Sequence, residues 1–469
     1  MIRFVLILIF IFCIIPPLVY NYQYPSYGDD SFFHMEKIDQ IQEQGIQIPD
    51  SRYIGQNFTW LVLLPFGDSD YSFVWFNWIA CGACMLAMYL FGRNLIDRQT
   101  GLAMMVCGAL IAPAFISLFH NGTIYNLINF YIFGLGALYF LYKWLESDRI
   151  YHGACSLLLF MILGIYHSST AIIIFAGTGL FLTGYMILLC KKHNIIKLKK
   201  LGIYMVLFLI AGIGTGYLLN PELYNLIKQA LSIDLSTKLG QNTTAGEPSY
   251  PLDIGKWMIS GWSPWLGILD IVSLLILWKI KSKIDWKLVG ILGGIITVLM
   301  VGAFTPILYD NSRFGFDLSI MLSILSAYII VKAIKARKKR LYTFAVWTML
   351  SLVSLPAIIW FLSYNNAMTP ADLEAVRWLN AQNGSTYTVS SQIQNGIYSR
   401  FIDKEYTYPG GEYAIYRSEY QTVQCNPNDW WFRYNDHYPN ESVMDDYAEM
   451  DRLAEWKWKG LEVIIYGGK

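Results

Sequence analysis

Two adjacent carboxylates, Asp29 and Asp30, stand in the stretch Tyr24–Glu36, with His34 and Glu36 close behind them. Such a pair can take a proton as a general base, hold a divalent cation, or titrate jointly because neighbouring carboxylates resist double ionisation. A helix N-cap explains one Asp, at about 1 kcal/mol. It leaves the second carboxylate and His34 without a role. The stretch directly follows the first apolar segment, and acidic groups at a membrane are costly to desolvate.

Further polar groups recur at the ends of apolar segments. They are His120-Asn121, His167-Ser168-Ser169, and Tyr309-Asp310-Asn311-Ser312-Arg313, followed by Asp317. His34, His120 and His167 are three of the six histidines in the chain. Arg313 has two readings. It snorkels to the interface as a single Arg at a span end does, or its planar set of donors pairs with a lipid phosphate. Asp270 lies inside an apolar segment and carries no catalytic expectation.

Apolar helices must position these groups. The 469 residues are 55% hydrophobic, 16% aromatic and 15% charged, with mean hydropathy +0.38. A soluble chain carries about a quarter charged residues, so a polytopic membrane protein is expected. The net charge of +1 offers no basic field, and no nucleic-acid partner is expected. Spans of suitable length fall at 3–20, 71–92, 101–118, 124–143, 152–166, 169–190, 201–219, 261–279, 286–306, 315–335 and 341–362. They read as mostly uninterrupted. Residues 1–20 lack a small-x-small cleavage site and read as an uncleaved first helix. After the carboxylates, Phe32, Met35, Ile38 and Ile41 form the apolar stripe of a short amphipathic helix lying on the membrane. Asn57–Phe66 is too short to span and reads as re-entrant or interfacial.

Cys81-Gly-Ala-Cys84 has a redox spacing but sits in an apolar helix, where it packs. No zinc-ligand spacing occurs.

Lys and Arg set the orientation. One set of loops carries Arg93 and Arg98, Lys143 and Arg149, Lys191–Lys200, Lys279–Lys287, and Lys332–Arg340. The opposite loops hold Lys37, Arg52, Lys228, Lys238, Lys256 and Arg313. The asymmetry places the N-terminus in the cytoplasm and Asp29-Asp30 outside. Outer loops then run over 21–70 and 220–260. The sequons at Asn57, Asn121, Asn242, Asn383 and Asn440 all fall outside.

From residue 363 the chain becomes polar, acidic and rich in Tyr and Trp. Thr369-Pro370-Ala371-Asp372 opens a helix to about Asn380, with Pro370 at its first position. Thr386–Ser390 and Leu461–Tyr466 read as strands, and Asp445–Trp458 as a helix. The expected fold is an all-α polytopic membrane domain of about eleven helices, 1–362, with a small C-terminal α/β extracytoplasmic domain, 363–469. Asp429-Trp430-Trp431 stacks on sugars or seats this tail on the membrane.

The layout resembles the GT-C glycosyltransferases, polytopic enzymes that use polyprenyl-phosphate-linked sugars. Tyr27-Gly28-Asp29-Asp30 with His34-Met35-Glu36 resembles the Tyr-Gly-Asp and His-x-Met-Glu elements of dolichyl-phosphate-glucose-dependent glucosyltransferases, at slightly shorter spacing. Asp29-Asp30 is also similar to the Asp-Glu pair of protein O-mannosyltransferases. Helix number and an outer domain resemble the oligosaccharyltransferase catalytic subunit. Its Trp-Trp-Asp-Tyr-Gly hallmark is replaced here by Asn428-Asp429-Trp430-Trp431-Phe432, which ranks it second.

The resemblance implies an inverting transfer of a sugar from a polyprenyl-phosphate donor to a glycan, lipid or protein acceptor outside the membrane. Asp29 would be the base, with Asp30 and His34 beside it. Arg313 and His167 would face the donor phosphate, and Glu36, His120, Asn121 and Asp310 the acceptor. The sequence names no cofactor; a divalent cation held by Asp29 and Asp30 is the candidate. A lipid-linked glycan polymerase or ligase stays open. A transporter or flippase would show broken helices and midplane charges instead.

The orientation is testable by cysteine-accessibility labelling in intact cells. Single cysteines in 363–469 should label without permeabilisation, and those in Lys191–Lys200 only after it. The reverse pattern would overturn the topology.

Overall fold

The computed structural model describes residues 2–13, 38–39, 41–43, 69–110, 127–166, 168–219, 273, 275–278, 280, 284–304, 311–337, 369–389, 398, 401–407, 411–418, 420–423, 434–437, 450–458 and 461–467. The helices are α1 (Ile2–Cys13), α2 (Ser69–Leu95), α3 (Arg98–Met105), α4 (Leu135–Ser147), α5 (Ile150–Tyr166), α6 (Ser168–Lys191), α7 (Ile195–Leu219), α8 (Trp286–Phe304), α9 (Asn311–Arg337) and α10 (Pro370–Asn380). Residues 38–39 and 41–43 are helical, with Ile38 buried, as the amphipathic pattern there requires.

Among the described residues, four helices are long and apolar enough to cross a membrane: Trp78–Leu95, Thr170–Lys191, Trp286–Phe304 and Asp317–Lys335. Ile150–Tyr166 is a shorter apolar helix. The expected span 341–362, most of 261–279, and the segment Asn57–Phe66 lie outside the described residues. On α7, Ile203, Val206, Leu209 and Ile210 are exposed. A continuous apolar face of this kind suits lipid.

Consecutive helices form antiparallel pairs. α2 packs on α3, α4 on α5, α6 on α7, and α8 on α9, while α6 also packs on α8 and α9 on α3. Tight turns on the basic side join α2 to α3, α4 to α5 and α6 to α7. Asp97 caps α3 by accepting from the Gln99 and Thr100 amides, each at 3.0 Å, and pairs with Lys335. Asp148 ends α4 in a left-handed conformation with φ 55°.

Two of the spans depart from regular α-helix, while α2, α6, α7, α8 and α9 run unbroken over their described residues. Val106–Leu110 continues α3 as a π-helix, and a second π-helix, Ile128–Gly134, runs into α4. Hydropathy carries no information on whether an amide bonds four or five residues back. Such π segments are short and cluster at functional sites.

Among the described residues, the C-terminal part is a small mixed sheet packed with the helix α10. Strands β1 (Thr386–Val389), β2 (Glu405–Tyr406), β3 (Tyr413–Arg417), β6 (Asp451–Trp458) and β7 (Leu461–Gly467) form a five-stranded sheet in the order β2-β1-β3-β7-β6. β1 is parallel to β2 and β3; β7 is antiparallel to β3 and β6. β4 (Tyr420–Val423) and β5 (Tyr434–His437) pair separately. α10 packs on β6 and β7, with Trp378 edge-on to Trp456, ring centroids 6.2 Å apart.

The segment read as a helix over Asp445–Trp458 is corrected: Asp451–Trp458 is β6, and 445–449 lie outside the described residues. Its Leu, Ala, Glu and Lys favour a helix locally. Pairing along β7, whose Val463, Ile464 and Ile465 are buried, overrides that preference. A bulge between Arg452 and Ala454 takes Leu453 out of register and leaves it exposed.

The start of α10 carries the buried electrostatics of this part. Thr369 and Asp372 form a capping box behind Pro370. Asp372 is fully buried, and its Oδ2 also accepts from Arg417 Nη2 on β3 at 3.1 Å. Its Oδ1 accepts the Tyr398 hydroxyl. Burial, and then the Asp372 charge, hold the Tyr398 hydroxyl well above its ordinary pKa, so it stays a donor.

Arg417→Met should therefore leave a buried, unpaired carboxylate and cost about 3–5 kcal/mol. Asp372→Asn added to Arg417→Met should recover part of that loss. Tryptophan-detected denaturant unfolding of the purified chain reads both. A neutral Arg417→Met would show the pair to be dispensable.

Candidate functional site

Most of the residues singled out by chemistry lie outside the described residues: Asp29, Asp30, His34, Glu36, His120, Asn121, His167 and Asp310. Arg313 is within α9, in its first turn, two residues after Asn311. The expected helix start at 315 thus moves four residues outward, and Arg313 belongs to the helix rather than to the preceding loop. What the structure does place are the elements that flank these residues.

α5 ends at Tyr166 and α6 begins at Ser168, so position 167 is the single link between two antiparallel helices. α8 ends at Phe304 and α9 begins at Asn311, directly after position 310. A Cβ built on Gly177 would meet Ile295 Cα at 2.6 Å. Gly177 stands nine residues after the start of α6, and Ile295 nine before the end of α8, so those two ends are level. A Cβ on Gly302, near the end of α8, would meet the Phe314 ring at 2.2 Å, which sets the first turn of α9 beside it. Gly134 packs on Ile174 of α6 and Leu163 of α5, bringing the π-helix Ile128–Gly134 to the same end. The chain ends leading to His120-Asn121, His167, Asp310 and Arg313 therefore converge on one end of the bundle.

Inside this end lies a polar cluster that the sequence signalled only in part. Asp317 of α9 is fully buried, and its Oδ1 accepts the Tyr131 hydroxyl at 3.4 Å. Asn129, also fully buried, donates from Nδ2 to the Leu163 carbonyl at 3.1 Å. Tyr131 and Asn129 both come from the π-helix. The signal available in the sequence was the occurrence of Asn and Asp within apolar spans, which marks function or helix contact. Tyr166, next to position 167, stands edge-on to Phe133 at 5.4 Å.

The opposite, basic end is organised differently. Lys335 pairs with Asp97, and Lys200 with Asp148 at 3.4 Å. Tyr142 bonds Asp285 and, at 2.9 Å, Glu146. Asp285 in turn caps α8. These groups are helix caps and partly exposed bridges.

Cys13, Cys81 and Cys84 are buried free thiols, with Cys13 Sγ 3.7 Å from Met85 Sδ. They pack α1 against α2. Among the described residues no group of three or more His, Cys, Asp or Glu could hold a metal ion. The Asp29-Asp30 pair lies outside them.

No protein-family model matches the chain, and no curated protein matches it in sequence. In fold it is similar to the oligosaccharyltransferase of Archaeoglobus fulgidus. The apo crystal structure aligns with a TM-score of 0.55 at 11% identity, over 86% of this chain and 63% of that one. The archaeal oligosaccharyltransferase AglB from the same organism, in complex with an inhibitory peptide and a dolichol-phosphate, aligns at 0.53 and 10%, over 88% and 68%. A complex of the Archaeoglobus fulgidus enzyme with Zn and sulfate gives 0.56 and 11%, over 88% and 67%. The chain thus spans 63% of the apo enzyme's length, and at these identities the likeness is one of fold. Its helices long and apolar enough to cross a membrane mark the chain as an integral membrane protein.

Proposed function

We propose that this chain is a membrane glycosyltransferase that moves a sugar from a polyprenyl-phosphate-linked donor to an acceptor at the extracytoplasmic face. The observation that carries the reading is the fold likeness over 86% of the chain to an oligosaccharyltransferase. A structure of that archaeal enzyme is in complex with a peptide and a dolichol-phosphate. The convergence of the polar chain ends on one end of the bundle supports the same reading.

In this reading the N-terminus is cytoplasmic, and residues 363–469 form an extracytoplasmic domain. Asp29 accepts the proton of the acceptor hydroxyl as its oxygen attacks the anomeric carbon in line. The bond from that carbon to the phosphate oxygen breaks, the configuration inverts, and the polyprenyl phosphate leaves with the electron pair. Arg313 and His167 stabilise the charge gathering on the phosphate. Asp30 and His34 orient the base, and Glu36, His120, Asn121 and Asp310 hold the acceptor. Asp29 and Asp30 would hold a divalent cation if the reaction uses one; it would neutralise phosphate charge.

A second reading is transfer of an oligosaccharide to a peptide, as in an oligosaccharyltransferase. The fold neighbours favour it, whereas Asn428-Asp429-Trp430-Trp431-Phe432 departs from that family's hallmark. Offering the purified chain a radiolabelled lipid-linked sugar, with either a sequon peptide or a glycan acceptor, separates the two. No transfer to any acceptor from lipid extracts of the source cells would remove both.

Two variants test the residue roles. Asp29→Asn keeps size and a capping acceptor, and should bind donor yet lose transfer by about 100-fold or more. Full turnover in both Asp29→Asn and Asp30→Asn would sink the base assignment. Arg313→Lys keeps charge without the planar fork and should raise donor KM by about 10-fold, the effect of losing about 1.4 kcal/mol. Unchanged donor binding in Arg313→Ala would reduce the residue to an interfacial anchor.

A further inference from the structure

Asp317 is fully buried inside a candidate membrane span, and the function proposed above gives it no part. A carboxylate within a span is costly to bury, and such groups mark functional sites by default. Its surroundings are specific. The Tyr131 hydroxyl donates to Oδ1 at 3.4 Å, and Tyr131 is itself fully buried. Tyr131 sits in the π-helix Ile128–Gly134, which Asn129 ties to α5 through the Leu163 carbonyl. The pair thus joins α9 to an element already fixed from the other side.

Its place on α9 gives the consequence. Position 317 follows Arg313 by four residues, the spacing that puts two positions on one helix face a turn apart. Phe314, between them, is held against Gly302 of α8. The start of α9 is thereby gripped by a steric contact in its first turn, at 314, and a polar one in its second, at 317. The steric contact limits approach to α8. The polar contact is directional, and so sets rotation and depth.

We propose that Asp317, acting through Tyr131, is a positioning residue that fixes the rotation and depth of the α9 turn carrying Arg313. It thereby sets affinity for the phosphate group of the donor. The second part rests on the assignment of Arg313 to that phosphate.

The test uses the full chain reconstituted in liposomes, with a polyprenyl-phosphate-sugar donor and initial rates over a range of donor concentrations. Tyr131→Phe removes one hydroxyl and keeps the ring in its packing. Asp317→Asn keeps an acceptor and removes the charge. Each should raise donor KM by about 5- to 30-fold, the size of a 1–2 kcal/mol coupling, and the double variant no more than the worse single one. The kcat at saturating donor should stay within about 2-fold, because the base is untouched. A donor-independent arm follows Ser312→Cys labelling by an impermeant maleimide, whose rate should change when Tyr131→Phe is added.

Unchanged donor KM together with unchanged labelling in Tyr131→Phe overturns the proposal. A fall in kcat with KM constant also overturns it, in favour of a purely structural pair. Altered labelling beside an Arg313→Ala variant with normal donor KM upholds the positioning and sinks the phosphate assignment alone. Raised KM in Arg313→Ala with Tyr131→Phe silent in both arms sinks the positioning alone.

Discussion

The close approach of α6 and α8 at Gly177 and Gly294 is the contact on which the rest of the bundle's geometry depends. A Cβ on Gly294 would stand 2.3 Å from the Gly177 carbonyl oxygen, inside any allowed contact. In lipid, apolar side chains gain little by meeting one another, so helices associate through tight backbone approach and polar contacts. Here the glycines let the two backbones touch about equally far from the start of α6 and the end of α8. The start of α6, the end of α8 and the first turn of α9 come level as a consequence. A site assembled from loop residues at that end inherits its spacing from a glycine contact well below it.

Polar groups divide between the two ends by role. At the basic end they close helices: Asp97 and Asp285 cap α3 and α8, and Lys200 meets Asp148 at the surface. Partly exposed bridges of this kind contribute about 0–1 kcal/mol each and are replaceable. At the other end Asn129, Tyr131 and Asp317 are fully buried between helices. Polar groups in that position cost desolvation unless satisfied, and they tolerate few geometries. Asn129 and Tyr131, two positions apart in the π-helix, reach α5 and α9 respectively from one short segment.

The C-terminal sheet applies the same economy of charge in a different solvent. Asp372 is at once the capping acceptor of α10 and the partner of Arg417 on β3. A buried ion pair adds little net stability, since desolvation offsets attraction. It does tie the helix start to one strand, because removing either partner leaves a lone charge inside.

Local rules acted strongly enough for the sequence to determine several features by itself. Apolar length marked the four helices long enough to cross a membrane, and Thr369-Pro370-Ala371-Asp372 marked the start of α10, since capping uses neighbours in the chain. The strand Leu461–Gly467 was legible from its buried β-branched run. Of the candidate site, the sequence supplied residue types, including Arg313 at a span end, whereas most of those residues lie outside the described part of the structure. Other features depended on partners far away in sequence. Asp451–Trp458 is a strand only because β7 lies alongside it. The π turn that carries Tyr131 has no signature in hydropathy, and its contact with Asp317 spans 186 positions. Arg417 likewise reaches Asp372 only across the sheet. Tertiary structure decided these because a hydrogen bond or ion pair needs two groups at one place, and sequence spacing fixes that only within a turn or two.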